Sequence, residues 1–242
     1  MPGPVNRIEA RRVDGPFVRL GRTLWPARCL LCEAGGASGH DLCVACAASL
    51  PWSRLACPRC ALPLSSPARA CGGCLRKAPL LDAAHAAFAY RSPLDRLLPR
   101  LKFHGDLAAG RLLAGAMAVA FADLLAPRAL VPIPLSRARL RQRGYDQALE
   151  LARPLARSLG LALLPDGLHR TRDTEAQSRL DAMGRRRNMR GAFIAMPGAD
   201  LPDHVALVDD VMTTGATLHA AALALRRAGV RRVDAWVCAR VA

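Results

Sequence analysis

Eight of the nine cysteines fall into four Cys-x-x-Cys pairs: Cys29/Cys32, Cys43/Cys46, Cys57/Cys60 and Cys71/Cys74. Ten residues separate the pairs in each half, and the second half repeats the first at a constant offset of 28, from Cys29 to Cys57 through Cys46 to Cys74. One Cys-x-x-Cys turn brings two thiolates to a point, and two turns build a tetrahedral sulfur site, which suits zinc. The pattern predicts two tandem zinc ribbons holding two structural zinc ions. Regular pairs suit an iron–sulfur cluster less well, and disulfides belong to exported chains, of which there is no mark. Spacing leaves sequential and cross-braced ligation both open. His40 lies between two pairs and is expected in a loop, since the four thiols suffice. Cys238, alone in an apolar stretch, is expected as a buried strand residue.

A second stretch constrains the other end of the chain. The apolar run Val205-Ala206-Leu207-Val208 leads into Asp209 and Asp210, then Thr213-Thr214-Gly215-Ala216-Thr217, then a helical pattern from Leu218 to Ala228. Backbone N–H groups at a helix start are unpaired, and the helix dipole favours an anion there. Thr213, Thr214 and Thr217 add hydroxyl donors, and Gly215 permits positive φ or close backbone approach. Two carboxylates just upstream suit the vicinal hydroxyls of a sugar. A capped strand–helix connection alone does not require them. The stretch resembles the signature of type I phosphoribosyltransferases, which bind phosphoribosyl pyrophosphate (PRPP).

Between these features, strand and helix patterns alternate. Strands are expected at 83–90, 130–134, 161–164, 204–208 and 233–239. Helices are expected at 94–102, broken at Pro99, at 107–125, at 145–159 with a kink at Pro154, and at 217–228. The fold class is therefore α/β with a mainly parallel sheet, with ligand outside the carboxyl ends of the strands. The domains read as a basic leader at 1–24, a double zinc ribbon at 25–77 and a phosphoribosyltransferase-like domain at 78–242. No apolar segment is long enough to span a bilayer and no export signal is visible, so a cytoplasmic protein is expected.

Three further segments reach the same end of the sheet. The loop from Leu135 to Gln147 carries Arg139, Arg141 and Arg143, whose guanidinium forks match phosphate oxygens. Residues 166–191 read as a mobile loop with a partial helix, and the stretch 170–193, with Gln177, Ser178, Arg185, Asn188 and Phe193, is expected to close over the ligand as a lid. In Lys102-Phe103-His104-Gly105-Asp106, Lys102 either reaches a phosphate or ends a helix. With the cysteine pairs, the VPIP…RGYDQA block, the QSRL…RRRN…GAF block and VDDVMTTGAT, the chain from Cys29 onward is similar to the ComF family of competence proteins. That family usually has Asn where Asp146 stands. A carboxylate there would repel an anion unless it pairs with arginine or binds Mg²⁺, which bears on turnover more than on binding.

The resemblance implies a type I phosphoribosyltransferase fold behind the ribbons. Thr213 to Thr217 would hold the 5-phosphate of PRPP, and Asp209 and Asp210 its diol. Arg139, Arg141, Arg143 and Lys102 would face the pyrophosphate with Mg²⁺. The acceptor is open. Formal charge is +16, or about +12 once two zincs each bind four thiolates. A basic chain attracts polyphosphate or single-stranded DNA. Three functions therefore stand side by side: a phosphoribosyltransferase, a DNA-handling protein with PRPP as ligand and competence-machinery proteins as partners, and a transcriptional regulator.

Overall fold

A helical or extended segment forms where its apolar period matches a partner surface. The structure, a computed structural model, describes residues 28–36, 41–171, 191–196 and 200–242. The leader, His40, Gln177, Ser178, Arg185 and Asn188 lie outside the described residues. Two compact units part between Ser49 and Leu50.

The 28-residue repeat of the cysteines is a repeat of backbone geometry. In the first unit an antiparallel bridge joins Arg28 to Gly35, and in the second one joins Ala56 to Pro63. Cys29 N donates to Ala34 O at 2.8 Å, and Cys57 N donates to Leu62 O at 2.8 Å. Glu33 and Ala61 both take positive φ, 64° and 54°. A short helix follows each turn, α1 at Val44–Ala48 and α2 at Gly72–Arg76. Every one of these features recurs 28 positions on, so each half folds as the same local device.

The rest of the second unit is built around a sheet. Strands β1 (Ala83–Ala89), β2 (Ala129–Pro132), β3 (Ala162–Leu163), β6 (His204–Met212) and β7 (Arg232–Arg240) pair in the order β1-β7-β6-β2-β3. Every pairing in it is parallel. Helices α3 (Leu94–Phe103), α4 (Leu107–Phe121), α5 (Arg137–Arg143), α6 (Gln147–Leu159) and α7 (Ala216–Arg227) connect the strands. The strands in the middle are apolar on both faces, as a covered parallel sheet demands; Val205 through Val208 are fully buried. Strands β4 (Leu168–Arg170) and β5 (Phe193–Ala195) form a separate antiparallel pair.

Four local expectations need correction. Helix α3 runs unbroken through Pro99. The missing N–H costs one ladder bond, but Leu94, Leu97, Leu98 and Leu101 are all buried on one side, and that packing outweighs it. The arginine segment is helical rather than a loop: Ser136 Oγ accepts from Arg139 N at 3.4 Å, and Gly144 closes the helix at φ 78°. Residues 168–170 form a strand where a mobile loop is expected. Finally, β6 continues to Met212, so Asp209 and Asp210 lie within the strand and not after it. Strand β2 tolerates Pro132 because β3 pairs only with Ala129 and Leu130. Ile133 N donates to Val208 O on the β6 side, so alternation turns the nitrogen of Pro132 to the other edge, beyond the end of β3.

Candidate functional site: two thiol clusters and an anion cavity

The thiols gather into two sets, Cys29/Cys32/Cys43/Cys46 and Cys57/Cys60/Cys71/Cys74, with all ligand atoms of a set within 4.8 Å of one another. Ligation is therefore sequential, not cross-braced. Cys32 Sγ lies 3.6 Å from Cys43 Sγ, and Cys60 Sγ lies 3.7 Å from Cys71 Sγ. A tetrahedron of sulfur about 2.3 Å from zinc has edges of about 3.8 Å, so the donor sets fit that metal. Backbone N–H groups also point at sulfur, Cys46 N at Cys43 Sγ (3.4 Å) and Cys71 N at Cys57 Sγ (3.2 Å). The backbone N–H of Cys74 chiefly lowers the Cys71 thiol to about 7. Cys238 is fully buried in β7, outside both sets, and burial pushes its thiol up.

The carboxyl ends of β2 and β6 open into a cavity of about 200 Å³. Its wall includes Lys102, Arg139, Arg143, Asp209, Asp210, Thr213, Gly215, Ala216 and Thr217. Of the residues expected to bind PRPP, Arg141 and Thr214 are not in that wall; Arg141 is exposed on α5, and Thr214 faces a neighbouring groove. Gly215 caps α7 at φ 73°, and a Cβ there would meet Met212 Cε at 2.6 Å. This is the one position of the turn where glycine is required on both counts.

Of the two adjacent carboxyls, Asp209 is strongly perturbed. Lys102 Nζ lies 2.9 Å from Asp210 Oδ2, and Asp209 Oδ1 accepts from Asp210 N at 2.8 Å. Burial, and then the charge of Asp210, hold the Asp209 carboxyl well above the usual carboxylate range. A carboxylate so placed is an avid acceptor for sugar hydroxyls or a ligand for a divalent cation. Lys102 reaches the acids rather than merely ending α3. Three more residues of its motif have identifiable places. The ring of Phe103 lies 5.2 Å from the Arg143 guanidinium carbon, Gly105 turns at φ 65°, and Asp106 caps α4 through Ala109 N.

Asp146 does not act as a bare anion. Its Oδ2 accepts from Leu135 N at 2.8 Å, and its Oδ1 from Ala148 N at 2.9 Å and Leu149 N at 3.2 Å. It caps α6 and ties down the start of the arginine segment at once. Burial pushes its carboxyl up, against those three donors. Arg143 is aimed by Gln147, whose Oε1 accepts from Nη1 at 2.7 Å. Gln147 and Arg170 both line the cavity and were missed as site residues. Gln147 carried a signal, since it closes the RGYDQ block; Arg170, one arginine among many, carried none.

Comparison with known proteins bears on the ribbons and on the family. The double zinc ribbon domain family matches residues 20–75. The DNA utilization protein YhgH of Salmonella typhimurium is 35% identical over 89% of this chain and 97% of its own length. Competence protein F of Haemophilus influenzae is 35% identical over 88% and 96%, and competence protein ComFC of Bacillus subtilis 30% over 72% of each chain. A parallel α/β sheet behind a double zinc ribbon defines the class. Within that class the chain belongs to the ComF/YhgH family of competence and DNA utilization proteins. No described helix is long and apolar enough to cross a membrane.

Proposed function

We propose that the protein binds PRPP with Mg²⁺ at the cavity of β2 and β6, and works as a phosphoribosyltransferase-like component of DNA utilization. The observation that carries this reading is the cavity itself. Two adjacent carboxylates, a threonine- and glycine-built helix start and two arginines line about 200 Å³ at the carboxyl ends of parallel strands. An anion at the start of α7 gains from unpaired N–H groups and the helix dipole. Asp209 and Asp210 take the ribose diol, and Arg139 and Arg143 the pyrophosphate, with Arg141 and Thr214 in supporting places. Asp209 and Asp210 would hold Mg²⁺, which would offset the charge of the leaving group. If the protein turns over, C1 of the ribose gains cationic character as the bond to pyrophosphate breaks. Binding geometry and the arginines then supply most of the rate.

A second reading has its own support in the charge of +16 and in relatives named for DNA utilization. In it PRPP is a ligand of a non-catalytic protein that holds single-stranded DNA by phosphate contacts, or of a regulator. Functionally the ribbons at 25–77 would serve partners and the domain at 78–242 the ligand. Reduced, metal-bound thiols favour a cytoplasmic setting. Isotope-labelled PRPP, incubated with the zinc-loaded protein and Mg²⁺ with and without nucleobases and single-stranded DNA, separates the readings. Release of pyrophosphate favours the enzyme, binding without release favours the ligand-bound DNA protein, and no binding ends both.

A further inference from the structure

The second thiol cluster and the anion-binding turn are joined by one side chain. Arg240 ends β7 and is buried. Its Nε donates to Cys60 O at 3.0 Å, and its Nη1 to Met212 O at 3.3 Å and to Val241 O. Cys60 belongs to the second set of four thiols. Met212 is the last residue of β6, directly before Thr213-Thr214-Gly215. Met212 O also accepts from Val241 N at 3.0 Å, and Met212 Cε lies 2.6 Å from where a Cβ on Gly215 would be.

We infer that Arg240 is a positioning residue that makes the geometry of the phosphate turn depend on an intact second zinc site. Burying a guanidinium is costly unless its donors and its charge are met. The described contacts of Arg240 are all to carbonyl oxygens, which satisfy donors but bring no net charge. The nearby opposite charge would come from the cluster, to which Cys60, whose carbonyl lies 3.0 Å from Nε, belongs. A zinc ion held by four thiolates carries a net charge of about −2. Loss of metal would free the Cys60 turn to move, and the planar fork would then hold Met212 O without its second anchor. Lysine keeps the charge but lacks the planar fork, whose separate nitrogens serve the two carbonyls on different elements.

The test needs no PRPP, so it stands or falls apart from the proposed function. Hydrogen exchange is followed by mass spectrometry across 213–219, where Ala216 N and His219 N are bonded, in the full chain loaded with zinc. Arg240→Lys is expected to exchange about tenfold faster there, with β1 and the start of β6 unchanged. Cys71→Ser/Cys74→Ser in the wild-type background should give the same acceleration, and should add nothing in Arg240→Lys. Cys43→Ser/Cys46→Ser, which disables the first set, should leave 213–219 as it was. If Cys71→Ser/Cys74→Ser loosens the whole sheet, Arg240→Lys and Arg240→Gln decide alone. Wild-type exchange at 213–219 in both Arg240 variants overturns the inference, as does equal acceleration from disabling either cluster.

Discussion

Lys102 Nζ lies 2.9 Å from Asp210 Oδ2, so the acidic pair of β6 has a cation of its own, supplied by the end of α3. Asp210 is almost wholly buried. Removing Lys102 leaves that carboxylate without its ion partner, a change that typically costs about 3–5 kcal/mol. Lys102→Met is therefore expected to lower Tm, and Mg²⁺ to restore part of the loss because the acids then attract a divalent cation more strongly. Scanning calorimetry with and without Mg²⁺ checks both parts. A variant with unchanged Tm would mean that the pair is idle.

Asp209 is held in a site that disfavours its charge. Its folded carboxyl sits above the ordinary value, so it stabilises the fold at low pH, and that contribution is lost as pH rises through the raised value. Asp209→Asn should accordingly raise Tm at pH 7 to 8 and leave it nearly unchanged near pH 4. The same variant should lose Mg²⁺-dependent PRPP binding. Greater stability together with lost binding is the expected signature of a group kept for function. Equal affinity by titration calorimetry would remove Asp209 from the site.

Asp146→Asn weighs position against charge. If repulsion of an anion dominated, the substitution would tighten PRPP binding. Both carboxylate oxygens are already taken by backbone N–H groups, however, and an asparagine would turn a donor toward Leu135 N. Leaving that N–H unmet costs about 1–3 kcal/mol. We expect PRPP affinity to fall several-fold as the start of α5 loosens. Tighter binding would reverse the assignment.

The chain should carry two zinc ions. Native mass spectrometry of wild type and of Cys238→Ser should both show two, and Cys57→Ser/Cys60→Ser should show one. A folded ribbon in a metal-free preparation would contradict a structural role, because so small a module rarely folds without its metal.

Binding of single-stranded DNA, if it uses the arginines of α5, should weaken steeply with salt and compete with PRPP. Fluorescence anisotropy at two salt concentrations, with and without PRPP, reads both effects. Competition is expected to be lost in Arg139→Ala/Arg143→Ala. DNA binding indifferent to PRPP would put the strand elsewhere.

Much of this protein is determined locally and so is legible in the chain. A Cys-x-x-Cys turn is a short-range device, and its repeat at 28 carries the bridges, the positive-φ residues and the helices with it. The parallel strands are equally plain, because burial on both faces leaves a continuous apolar run at Val205 to Val208. The turn at 213–217 is read from residue types that a helix start and a positive φ demand. What the tertiary structure decided are the long-range meetings. Pro99 stays helical because four leucines are covered by other elements. Asp146 is a cap and a tether rather than a repelling charge because Leu135 happens to face it. Lys102 meets Asp210, and Arg240 meets Cys60, across 108 and 180 positions of sequence. Such pairs leave no local period or spacing, since nothing in a residue's neighbours records which distant backbone the fold will bring beside it.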